Sequence, residues 1–338
     1  MAATKYVDRP IPQISLHDFS SRIDTITQEL IHAAEADGFF TLTNHGIPEA
    51  TIEHMFYTSA SFFSLPDATK GKIQFSHLNA GWEKNAQIRP STGAADRKES
   101  YQMQFGSNMD GMWLPDDALP GFKDTSLRFM HECQRVSEML MVCFARGLQR
   151  DDDFFVRAHD VSRPESQTVL RLLHYFEVDK ALPVPEGYHR AGAHVDWDLI
   201  TLLFQRSGQS GLEICPGREA STAFGIGDVW TKVDPAPGDI VCNIGDLLMS
   251  WSDDRFKSTF HRVKTPRDPE RDYYGPRYSI AFFNQPCTDA RIQGPGKKYP
   301  MVTGKEFTKR AMERNFAALK AKKEELAGVV AGEGEVKA

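Results

Sequence analysis

Apolar residues recur at helical spacing in four stretches of the chain. These stretches cover residues 23–36, 48–63, 127–148 and 305–326, where apolar positions follow one another every three or four residues. Asp37 and Gly38 follow the first stretch and Pro48 opens the second, as is common at helix boundaries. The pattern therefore predicts two N-terminal helices, a long buried central helix and an amphipathic C-terminal helix.

Short β-rich runs separated by Gly, Pro and Asp fill the second half of the sequence. They cover residues 168–176, 199–205, 212–215, 229–233, 239–243, 247–251, 259–263 and 278–283, and residues 39–42 form another near the start. Residues 70–108 show little periodicity and are predicted to be irregular, as long binding loops often are. Many short strands of this kind are typical of a β-sandwich or barrel. The fold class predicted is mainly β with flanking α.

Composition and charge narrow the class of protein. The 338 residues are 41% hydrophobic and 25% charged, which is ordinary for a folded chain of one large domain or two. A net charge of −6 without a dense Lys/Arg block argues against binding nucleic acid. The sequence carries no apolar run that could span a bilayer and no signal-peptide core, and its five scattered cysteines fit buried thiols. We expect a cytoplasmic protein that does not associate with membranes.

His194 and Asp196 are candidate metal ligands. In an extended segment, side chains two residues apart project to the same side, so these two can converge on one ion. His261, in a later β-type run, is the best candidate for a third ligand. Two imidazoles and one carboxylate leave half of an octahedron open, which suits a non-haem Fe(II) that reacts with O2. Taken alone, the His-x-Asp pair also fits a surface turn.

Arg277 and Ser279 form a candidate carboxylate-binding pair. They begin an apolar strand and alternate onto one face, which sets a guanidinium beside a hydroxyl. In the run 168–176, Arg171 and Tyr175 share a face and either point into the same cavity or lie at a solvent-facing edge. His174 is out of phase with them and is expected to pack rather than to bind a ligand.

The order of His-x-Asp, distal His and Arg-x-Ser resembles that in the iron(II)- and 2-oxoglutarate-dependent dioxygenases of the isopenicillin N synthase-like group, including fungal thymine hydroxylase-like enzymes. The likeness covers residues 10–320, and its specificity comes from several phrases taken together. These are GFFTLTNHGI at 38–47, KESY at 98–101, LRLLHY at 170–175, HVDWDLITLLFQ at 194–205, GDIVCNIGDLL at 238–248, FKSTFHRV at 256–263 and PRYSIAF at 276–282.

The resemblance implies a double-stranded β-helix, or jelly-roll, core with an N-terminal helical region and a C-terminal helix. It divides the chain into an N-terminal dioxygenase-type region at 1–110, connecting helices at 111–165, the catalytic jelly roll at 166–300 and a C-terminal helix with a frayed tail at 301–338. It also implies roles for individual residues. Fe(2+) would be bound by His194, Asp196 and His261, and 2-oxoglutarate by Arg277 and Ser279, assisted by Tyr175. Arg171, on the same strand face as Tyr175, is a further candidate to bind the cosubstrate.

The activity implied is oxidation of a C–H bond in a small-molecule metabolite, with O2 and 2-oxoglutarate consumed and succinate and CO2 released. Hydroxylation, cyclisation and desaturation are all compatible with it, as is a place in natural-product biosynthesis. Candidate walls of the substrate pocket are Tyr101, Trp113, Trp197 and Phe283. Two alternatives are a 2-oxoglutarate-independent oxidase or cyclase of the isopenicillin N synthase type and a non-catalytic jelly-roll binding protein. The sequence leaves the oligomeric state open.

Overall fold

The computed structural model describes residues 5–86, 96–182, 189–219, 229–234 and 236–314. Its strands are β1 (Lys5–Tyr6), β2 (Gln13–Ser15), β3 (Phe39–Thr43), β4 (Gly81–Lys84), β5 (Lys98–Gln104), β6 (Val169–Tyr175), β7 (His189–His194), β8 (Ile200–Gln205), β9 (Leu212–Glu219), β10 (Val229–Lys232), β11 (Ile240–Ile244), β12 (Thr259–Lys264), β13 (Arg277–Phe283), β14 (Arg291–Ile292) and β15 (Val302–Thr303). The α-helices are α1 (Phe19–Ala36), α2 (Glu49–Ser64), α3 (Asp67–Lys70), α4 (Phe122–Gly147), α5 (Phe154–Ala158), α6 (Asp246–Trp251) and α7 (304–314). Short 3-10 helices cover Gly71–Ile73 and Gly106–Met109.

Two β-sheets pack with their inner faces together at the centre of the fold. The larger has the strand order β2-β3-β11-β8-β13-β6-β5-β4, and the smaller has the order β1-β10-β9-β12-β7. Between them, Leu173 and Tyr175 of β6 pack with Ala191 of β7 and Val263 of β12. This arrangement confirms the predicted jelly-roll core with helices packed outside it.

The helices α1 and α4 pack against each other on the outer side of the larger sheet. The ring of Phe129 in α4 lies 5.0 Å from that of Phe204 in β8, which fastens the long helix to the sheet. The helix α1 ends where Gly38 adopts a φ of +66° and donates its N–H to the carbonyl oxygen of Ala33. Glycine adopts this left-handed cap most readily, and a Cβ here would lie 1.9 Å from the Lys257 carbonyl oxygen.

Two predicted elements differ from the structure. Residues 247–251 were expected to form a strand but belong to α6, because a short apolar run carries no period that separates a buried strand from a buried helix. Residues 70–108 were expected to be irregular but contain β4 and β5. All seven residues of β5 are buried although most are polar, so the sequence shows no alternation there.

Other expectations meet the structure only in part. The C-terminal helix predicted at 305–326 is present as α7 up to residue 314, and its remainder lies outside the described residues. All five cysteines are free and buried, as expected. Among the described residues, no helix combines the length and apolarity that crossing a membrane requires. The four-region division stays a prediction, although the larger sheet takes strands from both the 1–110 and the 166–300 regions.

Phe62 fastens α2 to the core. Its side chain is fully buried, with its ring 4.6 Å from that of Tyr101 and 5.2 Å from that of Phe122. We expect Phe62→Ala to lower the free energy of unfolding by about 3–5 kcal/mol, measured by urea denaturation. Tyr57→Ala on the same helix is the control, because Tyr57 is 69% exposed. The control should change stability by about 0.5 kcal/mol or less, and an equally small effect of Phe62→Ala would contradict this assignment.

His159 is a buried neutral histidine that follows α5. Its Nδ1 lies 2.8 Å from the Phe155 carbonyl oxygen, and burial lowers the pKa of its imidazole to about 4. In the unfolded chain this histidine has an ordinary pKa of about 6.5, so between about pH 6.5 and pH 4 it is protonated in the unfolded state but neutral in the folded state. The free energy of unfolding therefore falls as the pH drops through this range. We expect this residue to account for about 2 kcal/mol between pH 7 and pH 4.5. His159→Gln should lose stability less steeply in urea denaturation over that range, and an unchanged slope would refute the prediction.

Candidate active site

A cavity of about 240 Å³ lies between the inner faces of the two sheets. Strands of both sheets form its walls, and α7 adds Ala311, Met312 and Arg314 to the lining. The predicted residues that line it are His194, Asp196, His261, Arg277, Ser279, Tyr175, Arg171, Trp197 and Phe283. The fold therefore gathers most of the predicted site around one space.

His194, Asp196 and His261 converge at one place in this cavity. His194 ends β7 and pairs directly with His261 in β12, which sets the two imidazole rings 4.3 Å apart, centre to centre. Each of the three residues offers a ligand atom, and these atoms lie within 4.8 Å of one another. The Oδ1 atom of Asp196 is 3.8 Å from Nε2 of His194 and 3.7 Å from Nε2 of His261. Two imidazole nitrogens and a carboxylate oxygen in this arrangement suit Fe(II).

Hydrogen bonds behind the three side chains hold them in this orientation. The Oδ2 atom of Asp196 accepts from Thr201 Oγ1 at 2.6 Å and from Asn243 Nδ2 at 2.9 Å. Nδ1 of His194 donates to the Gly192 carbonyl oxygen at 2.8 Å, and Nδ1 of His261 donates to that of Thr259 at 3.4 Å. These contacts leave both Nε2 atoms and Oδ1 directed at the same point. Hydrogen-bond partners of this kind fix the tautomer of a histidine ligand and the orientation of metal-binding side chains.

A second aspartate, Asp198, is fully buried behind the ligand group. Its Oδ2 lies 3.1 Å from the Thr201 hydroxyl, which also contacts Asp196. Burial, and then the negative charge of Asp196, raise the pKa of Asp198 well above its usual range. Asp198 is therefore held in its neutral form behind the ligand group.

Arg277 lies fully buried at the other end of the cavity. Its Nε donates to the Gln209 carbonyl oxygen at 3.1 Å, its Nη2 to Gln205 Oε1 at 2.8 Å and its Nη1 to Ser279 Oγ at 3.4 Å. The ring centre of Tyr175, its neighbour across β6 and β13, is 5.2 Å from the guanidinium carbon. Every one of these hydrogen-bond partners is uncharged. A buried guanidinium held in this way is suited to receive a carboxylate.

Arg171 lines the cavity four residues before Tyr175 on β6, on the same face of the strand, as alternation predicts. Its guanidinium is paired with Glu83 and donates from Nη2 to Ser100 Oγ at 3.0 Å. Ser100 in turn donates to Glu83 at 3.0 Å. Unlike Arg277, Arg171 therefore already has an anionic partner, and it belongs to a neutral polar wall built by β4, β5 and β6.

The four predicted substrate-pocket residues divide into two pairs. Trp197 and Phe283 line the cavity and are half-buried. Tyr101 and Trp113 pack instead on the outer side of the larger sheet, where both contact Phe122 and the Tyr101 hydroxyl donates to the Met112 carbonyl oxygen. Because β5 alternates, its residues on the cavity side are Lys98 and Gln102, and Tyr101 faces away from them.

Several lining residues were missed by sequence reasoning. Lys98, Gln102 and Asn79 come from the stretch predicted to be irregular, and a strand assignment there would have found the first two. Arg314 of α7 reaches the cavity 3.9 Å from Asp246, a contact that no local pattern in the sequence indicates. Burial raises the pKa of Asp246 to about 6, although Ser258 and Arg314 oppose this shift.

Comparison with known families and structures gives a consistent result. Residues 166–286 match the model of the 2OG-Fe(II) oxygenase superfamily, and residues 11–117 match the N-terminal domain of a non-haem dioxygenase in morphine synthesis. The chain is 32% identical over 292 residues to proline hydroxylase buaE of Petromyces alliaceus, covering 82% of this chain and 86% of that protein. It is 31% identical to the 2-oxoglutarate-dependent dioxygenase frbA of Dothideomycetidae sp., covering 86% and 90% respectively.

Solved structures show the same relationship. A full-length Neurospora crassa protein, solved in complex with alpha-KG (2-oxoglutarate), superposes with a TM-score of 0.77 at 31% identity, covering 89% of this chain and 95% of that one. The same protein with alpha-KG and thymine gives a TM-score of 0.76 at 31% identity, covering 89% and 96%. Together with the cavity and its ligand group, these matches show that the chain belongs to the 2OG-Fe(II) oxygenase superfamily.

Proposed function

We propose that this protein is a non-haem Fe(II)- and 2-oxoglutarate-dependent oxygenase that oxidises a C–H bond of a small-molecule metabolite and releases succinate and CO2. One observation carries the proposal. A single cavity holds two imidazoles and a carboxylate within 4.8 Å of one another at one end. At the other end it holds a buried arginine whose hydrogen-bond partners, among the residues that the structure describes, are all neutral. One end suits a ferrous ion, and the other suits the far carboxylate of a dicarboxylic acid.

The proposed roles follow from this division of the cavity. The iron would be held by His194, Asp196 and His261, and it supplies O2 activation coupled to decarboxylation of 2-oxoglutarate. Arg277 and Ser279 would bind the distal carboxylate, with the Tyr175 ring against the guanidinium. The aliphatic walls around these side chains exclude water, which strengthens the contact between the charges.

The substrate would lie beside the metal end, between Trp197, Phe283 and the polar wall of Arg171. Because Arg171 is already paired with Glu83, that wall offers both hydrogen-bond donors and acceptors without a net charge. A small molecule with a polar edge, such as an amino acid or a nucleobase, fits this chemistry. A relative named proline hydroxylase and a neighbour solved with thymine support the same size class. Fungal relatives support a place in specialised metabolism.

A screen for 2-oxoglutarate turnover tests the proposal. The purified protein is loaded anaerobically with Fe(II) and then exposed to air with 2-oxoglutarate and fractions of a metabolite extract, and succinate is measured. We expect succinate release that requires both Fe(II) and a substrate fraction, together with an oxidised product. Product formation that does not require 2-oxoglutarate would favour the isopenicillin N synthase type of oxidase. Ligand binding without O2 uptake would favour a non-catalytic binding protein.

The proposal also includes a cytoplasmic location and no nucleic-acid partner, from the composition and charge of the sequence. The catalytic region would be residues 166–300, with 1–110 packed on it, 111–165 connecting the two and 301–338 as the C-terminal helical region. The lining contribution of α7 supports the last assignment.

A further inference from the structure

A second buried guanidinium, Arg190 of β7, lies near Arg277 and has no role so far. Its side chain is only 2% exposed. Its Nη2 donates to the carbonyl oxygens of Gly275 at 2.6 Å, Tyr274 at 3.1 Å and Phe176 at 3.5 Å. Within the described part of the chain, its Nε has no hydrogen-bond acceptor. Arg190 is thus a buried cation whose hydrogen-bond partners are all neutral.

Arg190 acts on the chain directly before Arg277. Tyr274 and Gly275, whose carbonyl oxygens it binds, precede Arg277 by three and two residues, so Arg190 anchors the backbone from which β13 begins. The two guanidinium groups also repel each other. Burial, and then the positive charge of Arg277, lower the pKa of Arg190 to about 10. The Arg190 side chain remains protonated at neutral pH, so two buried cations lie near each other at the Arg277 end of the cavity.

Carboxylates near this end are already committed to other partners. Asp272 accepts from Lys264 Nζ at 2.7 Å and from the backbone N–H of Arg267 at 2.8 Å. Asp96 accepts from Lys98 Nζ at 3.0 Å. Two buried cations beside neutral partners are costly, because like charges repel strongly where water is excluded. A bound anion relieves that cost.

We infer that Arg190 is a positioning and specificity-determining residue for the cosubstrate. It fixes the start of β13, and its charge behind Arg277 makes the Arg277 end of the cavity select an oxo acid that carries a second carboxylate. This inference rests on the proposed function, because it takes Arg277 as the group that meets the distal carboxylate. Arg190 does not line the cavity. It therefore acts on the ligand through the position of Arg277 and through the electric field of its own charge, without touching the ligand.

Two ligands and two variants separate this role from a merely structural one. The ligands are 2-oxoglutarate and its 5-methyl ester, which has no charge at the distal end. Arg190→Gln removes the charge, and Arg190→Lys keeps it while losing the geometry of the guanidinium fork. Binding to the Fe(II)-loaded protein is measured anaerobically by isothermal titration calorimetry, so turnover is not needed. Thermal unfolding of each variant is recorded in parallel.

We expect Arg190→Gln to weaken 2-oxoglutarate binding by about tenfold or more and ester binding by less than about threefold, so that the preference for the dicarboxylate collapses. Arg190→Lys should keep that preference within about threefold of the wild-type value. Equal weakening of both ligands in Arg190→Gln would overturn the inference, since a structural defect affects both. Loss of the preference in Arg190→Lys would also overturn it, and this variant decides the matter if Arg190→Gln fails to fold. If the wild-type protein bound neither 2-oxoglutarate nor its 5-methyl ester, that result would instead refute the proposed function.

Discussion

Asp196→Ala is expected to abolish turnover, with kcat reduced by at least about 1000-fold, equivalent to about 4 kcal/mol. Asp196 is the only carboxylate of the ligand group, and its Oδ1 faces both imidazoles at 3.7–3.8 Å. Without it, the site loses its negative charge and one of its three ligands, so iron retention should fall as well. Succinate release measures turnover, and metal analysis after anaerobic loading and desalting measures iron content.

Asp152→Ala is the matched control for this variant. Asp152 is an exposed carboxylate that pairs with Arg146 at 2.8 Å, away from the cavity. The control should keep wild-type iron content and activity. Full activity in Asp196→Ala would show that the ligand group has been assigned wrongly. Lost activity with full iron content would move Asp196 from metal binding to another role.

Arg277→Ala is expected to raise the apparent KM for 2-oxoglutarate by about 100-fold, because it removes a charge-assisted hydrogen bond in a water-excluded site. The side chain is fully buried and its hydrogen-bond partners are neutral, so none of those partners can replace its charge. The iron content should be unchanged, since Arg277 lies at the opposite end of the cavity from the metal ligands. Initial rates at varied 2-oxoglutarate and fixed substrate give the comparison.

Arg171→Ala is the informative comparison, because it removes another arginine that lines the cavity. Its guanidinium is already paired with Glu83, so we expect the KM for 2-oxoglutarate to change by less than about threefold, with the larger effect on substrate. If Arg277→Ala left 2-oxoglutarate saturation unchanged while Arg171→Ala weakened it, the carboxylate clamp would be Arg171.

The sequence predicted the fold and the candidate site where side-chain alternation was clear. On β6 the period of two placed Arg171 and Tyr175 on one face, and on β13 it did the same for Arg277 and Ser279; in the structure both faces line the cavity. It failed on β5, where both faces of the strand are buried and polar residues fill the interior. Tyr101 was therefore assigned to the cavity on its chemistry alone, and the structure turns it to the other face.

Contacts between distant segments were beyond sequence reasoning for a different reason. Thr201 and Asn243 hold Asp196 because β8 and β11 pair in one register. Arg190 of β7 reaches Gly275 because the segment after β6 and the segment before β13 run side by side there. Neither set of contacts joins residues at a regular helical or strand spacing, so no pattern in the sequence indicates them. Likewise, the run 247–251 is apolar enough for a strand, but in the fold it forms a buried helical turn. Only tertiary packing decides between these states.

The two hydrogen bonds to Oδ2 of Asp196 also limit how this carboxylate can act as a ligand. With one oxygen engaged by Thr201 and Asn243, only Oδ1 is available to a metal, so Asp196 would bind it through a single oxygen. A bidentate carboxylate would occupy a fourth octahedral position and leave two for exchangeable ligands, whereas a single-oxygen ligand would leave three. Thr201 and Asn243, two uncharged side chains behind the ligand group, would thus set how many coordination positions a bound metal keeps for its reactants.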